Sequence, residues 1–467
     1  MLTVGILLCY VLGLSFLLLF SRKYTLFELT GYSFLIGMGV ETLFLFLLDV
    51  IGVPYSQGVL IGLNMAAILA ICGANYKSLI LLKDEVKLPD WSLKNVNLVA
   101  VFLFCIIGYL FYAITVKNLF WPATEHDTIG SFDKLGRIMA IEGKLKISLF
   151  DYHLEGAGGI YPPLFHSSLA YVYIFGGITA KVVTTLFFLS LLTTFYSLVK
   201  GYVGSTAASF FTLVLMVTPE LFSHAALGLG NLPTTAYLGA AAIATITWIE
   251  KRDTKYFWLG AVLMAFVIWI RSDTIVFIGA ALLIVSLNAL KTKDWKHLLV
   301  YSAIAVAPFI VWNLYLKLKI HAAQEERFDF GIGYNSERFN LLWDYISAFL
   351  FAGQHGAIDG GQLYGLVFIL FFLFLLINAA RVFKVGVKQV VSDNLYILTF
   401  FFVSFVLYAS VFYFINEKTQ HAPISSLMES SFKRGLFCFV PLALFYVATN
   451  PVSAFLFAKL EKFRTGS

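Results

Sequence analysis

Apolar runs long enough to cross a bilayer recur along almost the whole chain. They lie near residues 3–20, 28–52, 56–75, 97–117, 180–199, 204–218, 231–249, 255–271, 274–290, 297–317, 362–382, 394–415 and 433–452. A hydrocarbon core about 30 Å thick needs about 20 such residues per helix. Two long polar segments interrupt the series, one from 118 to about 163 and one from 318 to about 361, the second with a short helix near 339–353. The short alternating segments of a membrane β-barrel are not seen. The pattern predicts an all-α polytopic membrane protein of about 13 spans, whose outward loops carry amphipathic juxtamembrane helices. No repeat and no Gly/Ser or Pro linker divides it, so it reads as one membrane domain.

Composition removes the soluble alternatives. Hydrophobic types make up 60% of the 467 residues and charged types 13%, against about 45–50% and about 25% for soluble domains. Mean hydropathy is +0.84. The net charge of +6 is no sign of nucleic-acid binding, because the basic residues fall in short clusters between apolar runs. These are Arg22 with Lys23, Lys77 to Lys94, Lys200, Lys251 with Arg252 and Lys255, Lys291 to Lys296, Arg381 to Lys388, and Lys459 to Arg464. The positive-inside rule puts them all on the cytoplasmic side. The N-terminus is then outside, the C-terminus ends in a short basic tail inside, and both polar segments face outward. This parity requires that residues 162–178 not cross, and it predicts an amphipathic helix there, lying at the outer surface. Met1 to Phe20 lacks a basic n-region and a cleavage site and reads as a retained first helix. Cys9, Cys72, Cys105 and Cys438 sit in apolar runs without ligand spacing, as small core residues. The expected location is a bacterial inner (plasma) membrane.

Chemistry concentrates in the first polar segment. Glu125, Asp127 and Asp133 follow a span directly, a depth at which acids are costly unless they face a wet or paired site. Ile129, Phe132, Leu135, Ile138, Met139 and Ile141 then recur at helical spacing and predict a short surface helix ending near Gly143. A YPP segment from Tyr161 leads into the next apolar helix. The 318–361 segment holds many charged residues with Tyr334 and Trp343 but no specific motif, and a solvated loop is its default reading. Walker A, HExxH, GxSxG, Rossmann and DxD patterns are missing.

A span, an acidic motif, an interfacial helix and a YPP turn in this order resemble the first extracytoplasmic loop of the GT-C-type glycosyltransferases. Those polytopic enzymes take a sugar from a polyprenyl-phosphate or polyprenyl-diphosphate donor, and they include the protein mannosyltransferases and the lipid A aminoarabinose transferases. The resemblance implies a catalytic carboxylate at Asp127, with Glu125 beside it. The sequence has Glu-His-Asp where many members carry an adjacent acidic pair. Three further segments resemble the family. Asn231-Leu232-Pro233 stands where an acidic residue precedes a proline-containing helix start, with Glu220 and His224 nearby as substitutes. Side-chain capping is the alternative role for Asn231. Arg271, in WIRSD, takes the place of a basic residue that faces the donor phosphate; snorkelling to lipid headgroups or pairing with Asp273 is the alternative. Ser431, Arg434 and Pro441 match a C-terminal Ser/Arg/Pro pattern in which Gly435 replaces an aromatic residue. Lys433 and Arg434 stand on the outer side against the charge trend.

The resemblance covers residues 97–290 and, loosely, 291–467. It implies three N-terminal helices in 1–96 outside the family-like core, a catalytic core in 97–317 with its outer loop at 118–179, an outer loop at 318–361, and C-terminal helices and tail in 362–467. The implied activity is inverting transfer of a sugar to a glycan, lipid or protein acceptor on the extracytoplasmic face. Asp127 and Glu125 would be catalytic, and Arg271, Arg434, Lys433, Tyr161, Glu220, Asn231 and His224 would bind donor phosphate or substrate. A divalent cation, Mg or Mn, is left open, with Asp127, Glu220 and His224 as its ligands. The rival readings are a transporter or flippase for lipid-linked saccharides, a polysaccharide polymerase or ligase, and an assembly subunit. Transporters place charge at mid-membrane in repeated halves, whereas charge here collects at helix ends.

Overall fold

The computed structural model describes residues 1–21, 23–76, 97–145, 161–320, 328–420 and 422–465. The basic stretch from Lys77 to Lys94 and the loop residues His321, Glu325, Glu326 and Arg327 lie outside the described residues. Of the described residues, 83% are helical. Among the described residues the strands are one two-stranded antiparallel hairpin, Gln354–His355 with Ile358–Asp359. Among the described residues, eleven helices are long and apolar enough to cross a membrane, as expected of an all-α polytopic integral membrane protein. Thr254–Ile270 and Ser205–Val217, two of the expected spans, are shorter, at 17 and 13 residues.

Local chemistry sets several boundaries. Thr25 opens the Leu26–Ile51 helix with a capping box: its hydroxyl accepts from the Glu28 amide at 3.2 Å, and Glu28 accepts from the Thr25 amide at 2.8 Å. Gly52, at φ 75°, closes it. The surface helix predicted after Asp127 is present as a π-helical turn, Thr128–Phe132, followed by Asp133–Glu142 and ended by Gly143 at φ 67°. The short helix expected near 339–353 spans Ser336–Leu350. Near the C-terminus the single expected span is a helical run from Ile424 to Thr449, broken by a π turn at Met428–Phe432 and a 3-10 turn at Phe437–Phe439. The residues expected as a tail continue as the Pro451–Thr465 helix.

Helices approach closely where side chains are missing. A Cβ on Gly13 or Gly37 would collide with the facing backbone of the second or first helix. Small residues of this kind let membrane helices pack at short range.

Two groups of polar contacts mark the two ends of the bundle. At one, Lys255 Nζ lies 3.1 Å from Glu28 and 2.9 Å from the Lys23 carbonyl, Lys251 Nζ donates to Gly201 O at 2.9 Å, and Arg381 meets Asp393 at 3.4 Å. At the other, Asp127 meets Arg434, Arg271 meets Asn231 and Asp273, and Tyr345 donates to Glu429. The Asn231–Lys251 helix runs from the second group to the first. The basic clusters at 23, 251 and 255 thus gather at one end, and segments from both long polar regions gather at the other.

The Leu164–Ile174 helix corrects one expectation. Its 11 residues extend about 16 Å at 1.5 Å per residue, too short to cross. It is not amphipathic, however, because Leu164 to Val172 are all buried. The Asp133–Glu142 helix covers it through Gly136, which faces Leu169, and the second helix covers it through Glu41, which meets Tyr171. His166 is carried inside with it, 4% exposed, with Nε2 unpartnered and the Phe132 ring 5.2 Å away.

We expect an impermeant maleimide to label Ser131→Cys, but not Gly201→Cys or Thr292→Cys, in intact cells on a background without the four native cysteines. Labelling of the latter two from outside would show that residues 162–178 cross the membrane.

Candidate functional site

The first polar segment is fastened to the turn before Asn231. Thr128 Oγ1 donates to Leu227 O at 2.7 Å, and Asn118 Nδ2 donates to Ala225 O at 2.7 Å and to Thr185 Oγ1 at 2.7 Å. Gly228, at φ 74°, faces Thr128 and Lys181 at distances that leave little room for a side chain. Asp127 is held at this junction and receives Arg434 Nη1 on Oδ2 at 2.5 Å, across 307 residues of chain. Arg434 Nε donates to Ser430 O at 2.8 Å. Both partners border a π-helical turn, Asp127 just before Thr128–Phe132 and Arg434 just after Met428–Phe432. Such single-turn bulges are frequent at functional sites because they redirect the side chains beside them.

Beside this pair lies a cleft lined by Asn231, Thr234, Arg271, Asp273, Thr274, Phe277, Tyr408, Gly435 and Cys438. It encloses about 310 Å³, counting the part open to solvent. Arg271 is its centre. Its Nε and Nη2 grip Asp273 at 3.0 and 2.6 Å, Nη1 donates to Asn231 Oδ1 at 2.8 Å, and the Tyr161 ring stands 5.3 Å from the guanidinium carbon. Asn231 therefore does not cap its helix: Gly230 holds that position, and the Asn231 side chain turns to Arg271. Gly435 is required where it stands, since a Cβ there would overlap the Tyr408 hydroxyl.

The remaining predicted residues fall in three places. Lys433 adjoins Arg434 and makes no ion pair with a described residue, while its carbonyl accepts from Tyr364. Glu125 is exposed on the loop. Glu220 and His224 pair with each other, Nε2 to Oε1 at 3.3 Å, and His224 lies buried against Phe437. The metal set of Asp127, Glu220 and His224 is not assembled. Asp127 faces a cation, Glu220 faces His224, and among the described residues no three His, Cys, Asp or Glu side chains come close enough to hold an ion.

Two groups in this region escape a motif search. Lys181, 3% exposed, points its ammonium to Pro122 O at 3.3 Å; burial and neighbouring Lys117 push its pKa down. Lys117 and Lys181 border the first loop at helix ends away from the basic clusters, and that misplacement was the available signal. Asp133 accepts from the Tyr173 hydroxyl and from Arg137 Nε at 2.9 Å. Burial and that bond to Asp133 push the Tyr173 phenol up to about 12.

No protein-family model matches the chain, no curated protein matches it in sequence, and no solved structure matches it in fold.

Burial pushes the His166 imidazole down to about 4, while the unfolded chain protonates near 6.5. The folded pKa is the lower one, so its stabilising share is complete above pH 6.5 and is lost as pH falls from 6.5 to 4. We expect Tm in detergent to fall over that window, by the equivalent of roughly 3 kcal/mol from this group. The fall should shrink in His166→Gln; an unchanged pH profile in the variant would remove His166 as its source.

Proposed function

We propose that this protein is a polytopic membrane glycosyltransferase that moves a sugar from a polyprenyl-phosphate donor to a hydroxyl acceptor on the extracytoplasmic face. The observation that carries the reading is the Asp127–Arg434 pair. Two residues chosen for different roles, a base in the first loop and a phosphate ligand near the C-terminus, meet at 2.5 Å. A lipid-anchored donor requires a carboxylate and cations side by side at the end of a helix bundle, and this end supplies Asp127 with Arg434, Lys433 and Lys181.

In this reading Asp127 takes the proton of the acceptor hydroxyl as its oxygen attacks the anomeric carbon. The bond from that carbon to the phosphate oxygen breaks, and the phosphate leaves with the electron pair. One base and one leaving group on opposite faces give inversion. Lys433 and Arg434 stabilise the charge that builds on the departing phosphate. Arg434 also orients the carboxylate before substrate arrives. Which saccharide, lipid or protein accepts the sugar is set by groups beyond this pair. The reaction as written needs no cation from solution, and Mg2+ or Mn2+ dependence is a separate measurement.

The test is release of polyprenyl phosphate from a sugar-loaded donor in membranes that contain the protein. Asp127→Asn should slow transfer by about 10²- to 10⁴-fold, the usual contribution of a positioned base. Glu125→Gln should have a smaller effect, and Arg434→Ala should raise the KM for donor. Transfer left intact by both carboxylate variants would remove the proposal.

A further inference from the structure

The cleft beside Asp127 differs from the Asp127–Arg434 pair in its charge. Arg271 uses three of its N–H groups on Asp273 and Asn231, leaving two of the five that a guanidinium carries. Its charge is matched by the Asp273 carboxylate at 2.6 Å in a two-point fork. Arg434 has a single contact to Asp127, and Lys433 beside it has no ion-pair partner among the described residues. Lys433 and the Arg434 guanidinium therefore stand outside the cleft, whose own charges cancel.

What the cleft offers is a dense alternation of donors and acceptors without net charge. Both Asp273 oxygens keep lone pairs, and Arg271 keeps two N–H groups. Thr234 Oγ1 spends its hydrogen on Gly230 O at 2.8 Å and stays an acceptor. The Asn231 carbonyl oxygen is taken by Arg271, which leaves its amide NH2 as a donor. Phe277 and Tyr408 supply aromatic walls. The Arg271 and Asp273 side chains are 27% and 31% exposed, so a ligand reaches them. A phosphate placed on Arg271 would lie against the Asp273 carboxylate and be repelled. A ring of vicinal hydroxyls, each both donor and acceptor, is the ligand that matches this lining.

We propose that this cleft binds a sugar through its hydroxyl groups, and that Arg271 acts there as half of a neutral fork and not as a phosphate ligand. The assignment rests on the glycosyltransferase reading for its place in a reaction, and it names the subsite that recognises the saccharide, in donor or acceptor.

The experiment uses the full chain in detergent, with saturation-transfer NMR on a panel of methyl glycosides at millimolar concentration and 31P line broadening of inorganic phosphate. The wild type should bind at least one glycoside in the cleft. Asp273→Asn should weaken that binding by about tenfold or more, and by freeing the Arg271 charge it should create a phosphate site that the wild type lacks. The double variant Arg271→Gln with Asp273→Asn should bind neither ligand in the cleft while keeping the wild-type elution profile, which separates recognition from misfolding. Displacement of the glycoside by a polyprenyl-phosphate sugar, but not by polyprenyl phosphate alone, would assign the cleft to the donor sugar; persistence of the glycoside would assign it to the acceptor. Glycoside binding by no member of the panel, binding unchanged in Asp273→Asn, or wild-type phosphate binding lost in Arg271→Gln would each overturn the proposal. Those results with Asp127-dependent transfer intact would sink the cleft alone. Glycoside binding without any Asp127-dependent transfer would sink the transferase reading alone.

Discussion

A bilayer interior offers no water to polar groups, and that constraint shapes every level of this structure. Backbone amides must find partners within their own segment, so the described chain is helix almost throughout. Hydroxyls in the helices obey the same rule by bonding back to carbonyls one turn earlier: Thr194 to Ser190, Thr212 to Ala208, Thr245 to Ala241 and Ser404 to Phe400. Charged side chains, costly at that depth, are driven to the helix ends. There they pair in two separate groups, one around Lys255 and Glu28 and one around Arg434 and Asp127.

The same constraint separates a sealed group of charges from an open one. Lys255 and Glu28 are buried together, each nearly sealed, with Tyr256 completing the carboxylate's bonds at 2.7 Å. Such a pair fixes a geometry but admits no ligand. The Asp127 side chain is 44% exposed and Arg434 26% exposed, joined by one contact, so both keep valences that a substrate can claim. The distinction between Arg434 and Arg271 follows the same logic. Residue type alone gave both the same expected role; their carboxylate contacts differ, one made at a single point and the other as a fork.

The sequence carries the helices well because their signal is length and apolarity, which the bilayer imposes locally. The surface helix after Asp127 was legible for a similar reason: its apolar positions repeat at 3.6 residues and Gly143 ends it. The Leu164–Ile174 helix was legible as a helix too, but its burial was not, because that depends on contacts with the Asp133–Glu142 helix and with the distant second helix. The broken run from Ile424 to Thr449 was hidden too, since π and 3-10 turns leave no compositional mark. Of the site, Asp127, Asn231, Arg271 and Arg434 were visible as polar residues at helix ends. Which of them are paired was not, because the Asp127–Arg434 contact spans 307 residues and no local pattern encodes it. Lys181 belongs to no motif, and its signal lies only in its placement away from the basic clusters.

The first three helices, which match nothing in the family resemblance, acquire a physical role from the contacts they make. Glu41, fully buried in the second helix, meets the Tyr171 hydroxyl at 3.0 Å, and that hydroxyl also reaches Gly5 O at 2.8 Å. A phenol has one hydrogen and a carbonyl only accepts, so for both contacts to be hydrogen bonds Glu41 must supply a proton of its own. Asp49, at the end of the same helix, accepts from the Leu145 amide and the Tyr315 hydroxyl, each at 2.7 Å. Tyr55 N donates to Gly143 O at 2.8 Å, and Gln57 Nε2 donates to Ile174 O at 2.7 Å. Every one of these bonds except that to Tyr315 ends on the first loop, on the Leu164–Ile174 helix, or on the first helix that packs beneath it. The Leu164–Ile174 helix in turn carries Tyr173, which holds Asp133 at the far end of the π turn that starts beside Asp127. The N-terminal helices thus hold in place the loop that presents the candidate carboxylate, and two of their buried acids, Glu41 and Asp49, make the contacts.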